Sequence, residues 1–144
     1  MAKKEQDIRF GRFGTKSFTQ TTRVNDFIDH LEQGRVMYTC CRSCKTSYFP
    51  PRADCAACLS SDMEWQKISG TGSLVSYSNL KYAPAGFEDD LPYTIALVDF
   101  GECQVFGRLA QEIDLNEVST GMDLSIVVNE LYEGRFNYVF TKSL

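Results

Sequence analysis

The chain has 144 residues, 43% of them apolar, and a formal net charge of −4. That length allows one ordinary domain, or a small stapled module followed by a compact barrel. Residues 1–52 carry ten Lys/Arg and five Asp/Glu, whereas residues 53–144 carry five Lys/Arg and fourteen Asp/Glu. Since nucleic-acid affinity comes largely from cation–phosphate contacts, the acidic remainder of the chain argues against a nucleic-acid partner.

Targeting signals are the next feature that the sequence excludes. No apolar run approaches the ~18 residues of a membrane span. The start Met-Ala-Lys-Lys-Glu-Gln lacks the apolar core of a secretory signal. Six cysteines without such a signal are typical of a reducing compartment, so we expect a cytoplasmic protein without a membrane partner.

The N-terminal residues 1–21 are predicted to form a tail of mixed charge. Its aromatic residues Phe10, Phe13 and Phe18 are unusual for a solvated tail, and they could lie against a partner or against the rest of the chain.

A short amphipathic helix is predicted at about residues 23–33, with Thr21-Thr22 as its cap and Gly34 as its end. Its apolar stripe has the spacing i, i+3, i+4 and i+7 and consists of Val24, Phe27, Ile28 and Leu31. The only histidine of the chain, His30, lies outside this stripe and is interpreted as an ordinary surface residue.

Two CxxC pairs follow, and they carry the strongest chemical signal in the chain. Cys41 and Cys44 form the first pair, and Cys55 and Cys58 form the second, with ten residues between the pairs. Each CxxC turn aims two thiolates at one point, so that two turns supply a tetrahedral, closed set of four sulfur ligands. The pattern favours a structural zinc ion. A rubredoxin-like iron site and a pair of disulfides are the alternatives that the spacing leaves open.

The two remaining cysteines are not predicted to be ligands. Cys40 is adjacent to Cys41 and points the opposite way along an extended segment, so it is interpreted as a small buried apolar residue. Cys103 is interpreted as a strand cysteine without a chemical role, because a nucleophile would need a base and the chain offers only His30.

Alternating apolar residues predict that the rest of the chain is mainly β. Strands are expected at about residues 35–39 and 63–68 around the CxxC pairs, and then at 73–78, 93–100, 103–109, 124–128 and 136–140. Trp65 is expected to pack over the sulfur cluster or at the junction with the next module. The last five strands suggest a small closed barrel. Residues 111–120 are expected to cross the barrel or form a short helix, and residues 82–92 form the longest irregular loop.

The order of these motifs resembles a known family. The helix ending in Glu-Gln-Gly-Arg, the first CxxC, the segment Phe49-Pro50-Pro51-Arg52, the second CxxC and the turn Ser69-Gly70-Thr71-Gly72 are similar to the acyl-CoA-associated proteins that join a rubredoxin-like zinc ribbon to an OB-fold. The resemblance covers about residues 22–141. It implies a mainly β fold with three parts: a tail at 1–21, a helix and zinc ribbon at 22–68, and a five-stranded OB-fold barrel at 69–144. Lys45 and Leu59 depart from the family pattern, because glycine is common at both positions.

The resemblance also implies a function. Members accompany thiolase-fold enzymes, including the benzoylsuccinyl-CoA thiolases of anaerobic toluene degradation. We therefore expect a required subunit without catalytic residues of its own, holding structural zinc, contacting a thiolase-fold catalytic subunit and helping to admit CoA or acyl-CoA. Thiolase chemistry needs two cysteines and histidines, which this chain cannot supply alone. Lys81, in the loop that follows the first barrel strand, and Arg108 are the candidate contacts to CoA phosphates. The apolar helix stripe, Phe49-Pro50-Pro51 and Trp65 are the candidates for the partner surface, but some of these residues must instead pack on the ribbon, and the sequence does not divide them.

Two other functions remain open at this point. An OB-type module can bind single-stranded nucleic acid, but that function requires a basic groove. An iron-bearing electron carrier would use the same four cysteines, but the ten-residue gap is short for a rubredoxin.

Overall fold

The computed structural model describes residues 7–17 and 22–143. It contains one α-helix, α1 (Asp26–Glu32). Eight strands follow: β1 (Met37–Cys41), β2 (Ser47–Tyr48), β3 (Met63–Lys67), β4 (Gly72–Leu80), β5 (Tyr93–Asp99), β6 (Gln104–Leu109), β7 (Asp123–Glu130) and β8 (Phe136–Lys142). Short 3-10 turns lie at Arg9–Arg12, Glu88–Asp90, Leu115–Glu117 and Tyr132–Gly134.

Helix α1 begins later than the sequence predicts. Thr22 does not cap a helix at residue 23. Its hydroxyl instead accepts a hydrogen bond from the Val24 N–H at 3.2 Å, and its carbonyl accepts one from the Asn25 side chain at 2.7 Å. These bonds form a separate turn, so the helix starts at Asp26. The predicted end is confirmed, because Gly34 has a φ of +82°, a conformation that glycine adopts at little cost.

The apolar stripe of α1 is buried against the rest of the chain. Phe27, Ile28 and Leu31 are each at most 2% exposed and belong to the continuous core. The helix packs against β1 and β8, so it bridges the small N-terminal sheet and the larger C-terminal one.

The N-terminal sheet has three antiparallel strands in the order β2-β1-β3. Thr39 in the central strand pairs with Tyr48 of β2 on one side and with Trp65 of β3 on the other. The sheet brings the start of each CxxC turn to the same end of the module.

The five remaining strands close into a barrel in the order β4-β5-β6-β8-β7, with β7 pairing back to β4. All neighbours are antiparallel except β6 and β8. The predicted mainly β fold with an OB-type barrel is therefore confirmed. Fully buried side chains fill the barrel interior: Leu74, Val98, Val105, Leu124 and Phe140. The segment at 111–120 contains only the short 3-10 turn Leu115–Glu117.

Part of the predicted tail packs onto the folded chain. We call residues 9–15 the N-terminal strap. Phe10 and Phe13 lie with their ring centroids 6.1 and 5.9 Å from that of Phe27, and Phe13 lies 6.0 Å from Tyr138. Phe18, the third aromatic residue of the predicted tail, lies outside the described residues.

Backbone and polar contacts hold the strap in place. The Gly14 N–H donates to the Phe136 carbonyl at 2.6 Å, and the Arg135 Nε donates to the Gly14 carbonyl at 2.7 Å. The Thr15 hydroxyl donates to Asp90 Oδ2 at 2.8 Å, in the loop between β4 and β5. The strap therefore connects helix α1, strand β8 and this loop.

Candidate metal centre

The four cysteines of the CxxC pairs converge at one end of the three-stranded sheet. The Sγ atoms of Cys41, Cys44, Cys55 and Cys58 all lie within 4.8 Å of one another. The Cys41–Cys58 and Cys44–Cys55 sulfur distances are both 3.5 Å. A tetrahedral site with Zn–S bonds of about 2.3 Å requires sulfurs about 3.8 Å apart. The arrangement therefore fits a single four-coordinate ion, and four thiolates are the donor set that zinc prefers for structural sites.

The two CxxC turns have the same backbone geometry. In the first, the Lys45 N–H donates to the Cys41 carbonyl at 2.9 Å, and in the second the Leu59 N–H donates to the Cys55 carbonyl at 2.9 Å. This repeated tight turn places the two sulfurs of each CxxC pair on the same side of their loop. We call the two turns the first and second knuckles (residues 41–46 and 55–60).

Although glycine is common at these two positions in the family, Lys45 and Leu59 both occupy the left-handed region. Their φ angles are 66° and 65°. A residue with a Cβ atom pays roughly 1–2 kcal/mol in this region. Leu59 is 84% exposed, so packing of its side chain does not offset this cost.

Hydrogen bonds make the four thiols unequal. The Tyr48 hydroxyl, followed by the Cys58 N–H, lowers the pKa of Cys55 to about 6. The Ser60 N–H acts to lower the pKa of Cys58, but the neighbouring cysteines and burial outweigh it and raise that pKa to about 12. Metal binding requires deprotonated thiols. A bound dication would displace their protons, so that acidification would favour release of the metal.

Hydroxyl groups near the sulfurs were not predicted from the sequence. Thr46 Oγ1 lies 3.1 Å from Cys44 Sγ, and the Tyr48 hydroxyl lies 3.4 Å from Cys55 Sγ. Only the folded arrangement of the knuckles and strands shows which hydroxyl groups reach a sulfur.

The remaining cysteines lie outside the cluster. Cys40 is half-buried and packs against the core. Cys103 is also half-buried, and burial, together with Glu102 and Asp99, raises the pKa of its thiol to about 11. A thiol with such a pKa is almost wholly protonated near neutral pH and is a poor nucleophile.

The rings of His30 and Trp65 contact each other, and neither residue belongs to the cysteine cluster. Their ring centroids are 5.2 Å apart, and His30 Nδ1 lies 3.1 Å from a guanidinium nitrogen of Arg35. Burial, followed by the charge of Arg35, lowers the pKa of His30. Trp65 therefore packs on helix α1 and against the common core, which favours the junction, the second of its two predicted positions.

The two candidate CoA contacts differ in their surroundings. Lys81 is exposed at the end of β4. Arg108 on β6 donates to Asp90 Oδ2 at 3.0 Å, and its guanidinium carbon lies 4.0 Å from the centroid of the Tyr93 ring. The structure therefore gives Arg108 a role in holding the loop between β4 and β5 against the barrel.

A cavity of about 400 Å³ lies beside Arg108 on the outer face of the barrel. The strap, the loop between β4 and β5, and the barrel surface form its walls. Its main lining residues are Phe13, Phe87, Tyr93, Ile95, Phe106 and Tyr138.

Among residues 7–17 and 22–143, no helix has both the length and the apolar character that a membrane span requires.

We predict that replacing Leu59 with glycine stabilises the second knuckle by about 0.5–1 kcal/mol, because glycine avoids the left-handed cost but has greater freedom in the unfolded chain. Leu59→Ala is the matched control, since alanine retains Cβ and keeps the strain. Urea unfolding, monitored by the release of zinc, measures the difference in stability between the variants. Equal stability of the glycine and alanine variants would contradict the prediction.

Comparison with known proteins agrees with these features. A model of the ChsH2 rubredoxin-like zinc ribbon domain matches residues 29–64, and a model of the ChsH2 C-terminal OB-fold domain matches residues 65–129. A "DUF35 domain-containing scaffold protein" of Methanocaldococcus jannaschii is 32% identical over 103 residues, which cover 70% of this chain and 72% of the relative.

Solved structures show the same architecture. A chain of the "Ltp2-ChsH2(DUF35) aldolase" superposes with a TM-score of 0.68 at 27% identity, covering 81% of this chain and 91% of that one. A DUF35 protein of unknown function from Sulfolobus solfataricus has a TM-score of 0.57 at 16% identity, covering 94% and 93% of the two chains, and supports the fold alone. The chain therefore belongs to the DUF35 family, whose members join a ChsH2-type rubredoxin-like zinc ribbon to an OB-fold.

Proposed function

We propose that this chain is a non-catalytic but required subunit of a heteromeric thiolase-type complex that acts on acyl-CoA. A thiolase-fold partner would carry the catalytic residues. This chain would support the partner's active site or the entrance for CoA and the acyl group. Benzoylsuccinyl-CoA is the substrate that the sequence resemblance suggests.

The observation that carries this proposal is the similarity to a chain of the Ltp2–ChsH2 aldolase. The superposition covers 91% of that chain, so both modules are shared and not the metal site alone. The Ltp2-ChsH2(DUF35) aldolase joins a DUF35 protein with a second component, which supports a partner subunit here. That complex is an aldolase, and the thiolase reaction remains part of the proposal.

The chemistry of the described residues supports placing catalysis on a partner. Acyl transfer from a thioester requires an activated thiol and a nearby base. His30 is bound to Arg35 and packed on Trp65, on the ribbon side of the molecule. Cys103 has a raised pKa, and four of the other five cysteines belong to the cluster.

Part of the predicted partner surface is buried within the chain itself. The predicted stripe on α1 is mostly buried within the chain, and Pro51 is buried as well, so these residues are not available for docking. Exposed apolar side chains lie instead on the outer face of the barrel, where Phe106 is 58% exposed, and in the loop after β4, where Tyr82 is 90% exposed. Ile95 and Leu97 extend this face between β4 and β6.

We also propose that Cys41, Cys44, Cys55 and Cys58 bind one zinc ion whose binding energy contributes to folding of the ribbon. Cys44→Ser should lose the metal and loosen residues 35–66, while the barrel retains its structure. Cys40→Ser is the matched control, because it makes the same change in the strand that leads into the cluster, outside the ligand set. Metal analysis of the purified proteins measures the effect. Full zinc occupancy in Cys44→Ser would refute this ligand set.

The partnership predicts that activity requires both chains. This chain alone should show no thiolytic activity, while co-expression with a thiolase-fold polypeptide encoded beside it should give a stable complex that cleaves benzoylsuccinyl-CoA with CoA. Size-exclusion chromatography and a thiolysis assay test both points. The catalytic polypeptide alone is the control, and full activity without this chain would contradict a required role.

Lys81 and Arg108 remain the proposed contacts to CoA phosphates. Loss of a charge-assisted hydrogen bond of roughly 1.5 kcal/mol should raise the KM for CoA about tenfold in Lys81→Ala or Arg108→Ala complexes. Lys67→Ala removes an exposed charge from the ribbon and is the control. Because Arg108 also holds Asp90, Arg108→Lys separates loss of charge from loss of loop support. An unchanged KM in the alanine variants would remove both residues from the CoA site.

A further inference from the structure

Tyr48 connects the two halves of the ribbon. It lies on β2, directly after the first knuckle, and pairs with Thr39 of the central strand. Its hydroxyl nevertheless reaches the second knuckle, where it lies 3.0 Å from the Ala56 nitrogen and 3.4 Å from Cys55 Sγ. By contrast, the Thr46 hydroxyl contacts a sulfur of its own knuckle, two residues away.

The direction of these two hydrogen bonds follows from the groups involved. The Ala56 N–H can only donate, so the Tyr48 oxygen accepts from it. The hydroxyl hydrogen is then available for Cys55 Sγ. A metal-bound Cys55 is a thiolate without a proton and can only accept, so binding of the metal makes this direction obligatory.

Contacts outside the four cysteines support the Tyr48 ring. The guanidinium carbon of Arg52 lies 5.4 Å from the ring centroid. The backbone N–H of Arg52 donates at 2.8 Å to the Thr39 hydroxyl, and Thr39 is only 2% exposed. Tyr48 is therefore supported by Arg52 and by the pairing of β2 with β1.

We propose that Tyr48 is a positioning residue of the metal site, which holds the second knuckle in its ligand-binding form and donates to the Cys55 thiolate. Four thiolates and one Zn²⁺ carry a net charge of −2, so each donor that points at a sulfur offsets part of this excess. Tyr48 provides such a donor from the other half of the ribbon. The inference rests on the proposed zinc site and not on the proposed partnership.

The test compares Tyr48→Phe, which deletes only the hydroxyl, with Tyr82→Phe, which makes the same deletion at a residue that is 90% exposed. Loss of a hydrogen bond next to a ligand lowers metal affinity by roughly 10–100-fold, so zinc transfer to a competing chelator should become at least tenfold more favourable in Tyr48→Phe. Tyr82→Phe should behave as the unaltered protein does.

Two further measurements separate positioning from general destabilisation. In the cobalt-substituted protein, loss of a donor to one thiolate should shift the sulfur-to-metal charge-transfer band to lower energy. In the purified protein, amide exchange at Ala56 should accelerate in Tyr48→Phe, while exchange in the barrel stays unchanged. An unchanged Ala56 exchange rate, or a chelator equilibrium within twofold of Tyr82→Phe, would overturn the proposal. If Cys44→Ser retained full zinc, the site itself would fail, whereas the Ala56 measurement would still report on the hydrogen bond.

Discussion

Packing of aromatic rings at one place joins the parts of this protein. Phe27 of helix α1 lies 6.2 Å from Phe49 of the ribbon, and Phe49 lies 5.5 Å from Tyr138 of the barrel. Phe10 and Phe13 of the strap complete this aromatic junction. Aromatic pairs of this geometry contribute about 0.5–1.5 kcal/mol each beyond the burial of their surface. Ribbon and barrel therefore have one continuous core, although each matches a separate domain model.

The junction places the metal cluster and the exposed barrel face in different parts of the molecule. The cluster lies at the end of the sheet that projects from the junction, and its turns hold Lys45 and Leu59 in a strained conformation. Such strain persists where the surrounding contacts determine the backbone. On the barrel side, the strap and Arg108 hold the loop between β4 and β5 beside the apolar cavity. The cysteine cluster thus belongs to the ribbon, whereas the exposed apolar face belongs to the barrel.

Burial explains why part of the predicted partner surface is not available to a partner. An amphipathic stripe shows that one side of a helix avoids water, but it does not show whether the chain itself or another chain covers that side. Here the chain covers Phe27, Ile28 and Leu31 with its own barrel and ribbon. Phe106 alternates with barrel-core residues on β6, so periodicity predicted its strand correctly while leaving its exposure undecided.

The sequence by itself determined the features that depend only on residues close together in the chain. Ligand candidates follow from CxxC turns, which are local, and the strands of the barrel follow from alternation over five to nine residues. The sequence showed that Lys45 and Leu59 stand where glycine is common, and the structure showed that both nevertheless adopt a positive φ. Only the tertiary structure decided contacts between distant segments, such as Tyr48 with the second knuckle and Thr15 with Asp90. These contacts depend on strand pairing and on packing in three dimensions, and no local pattern of residue types encodes them.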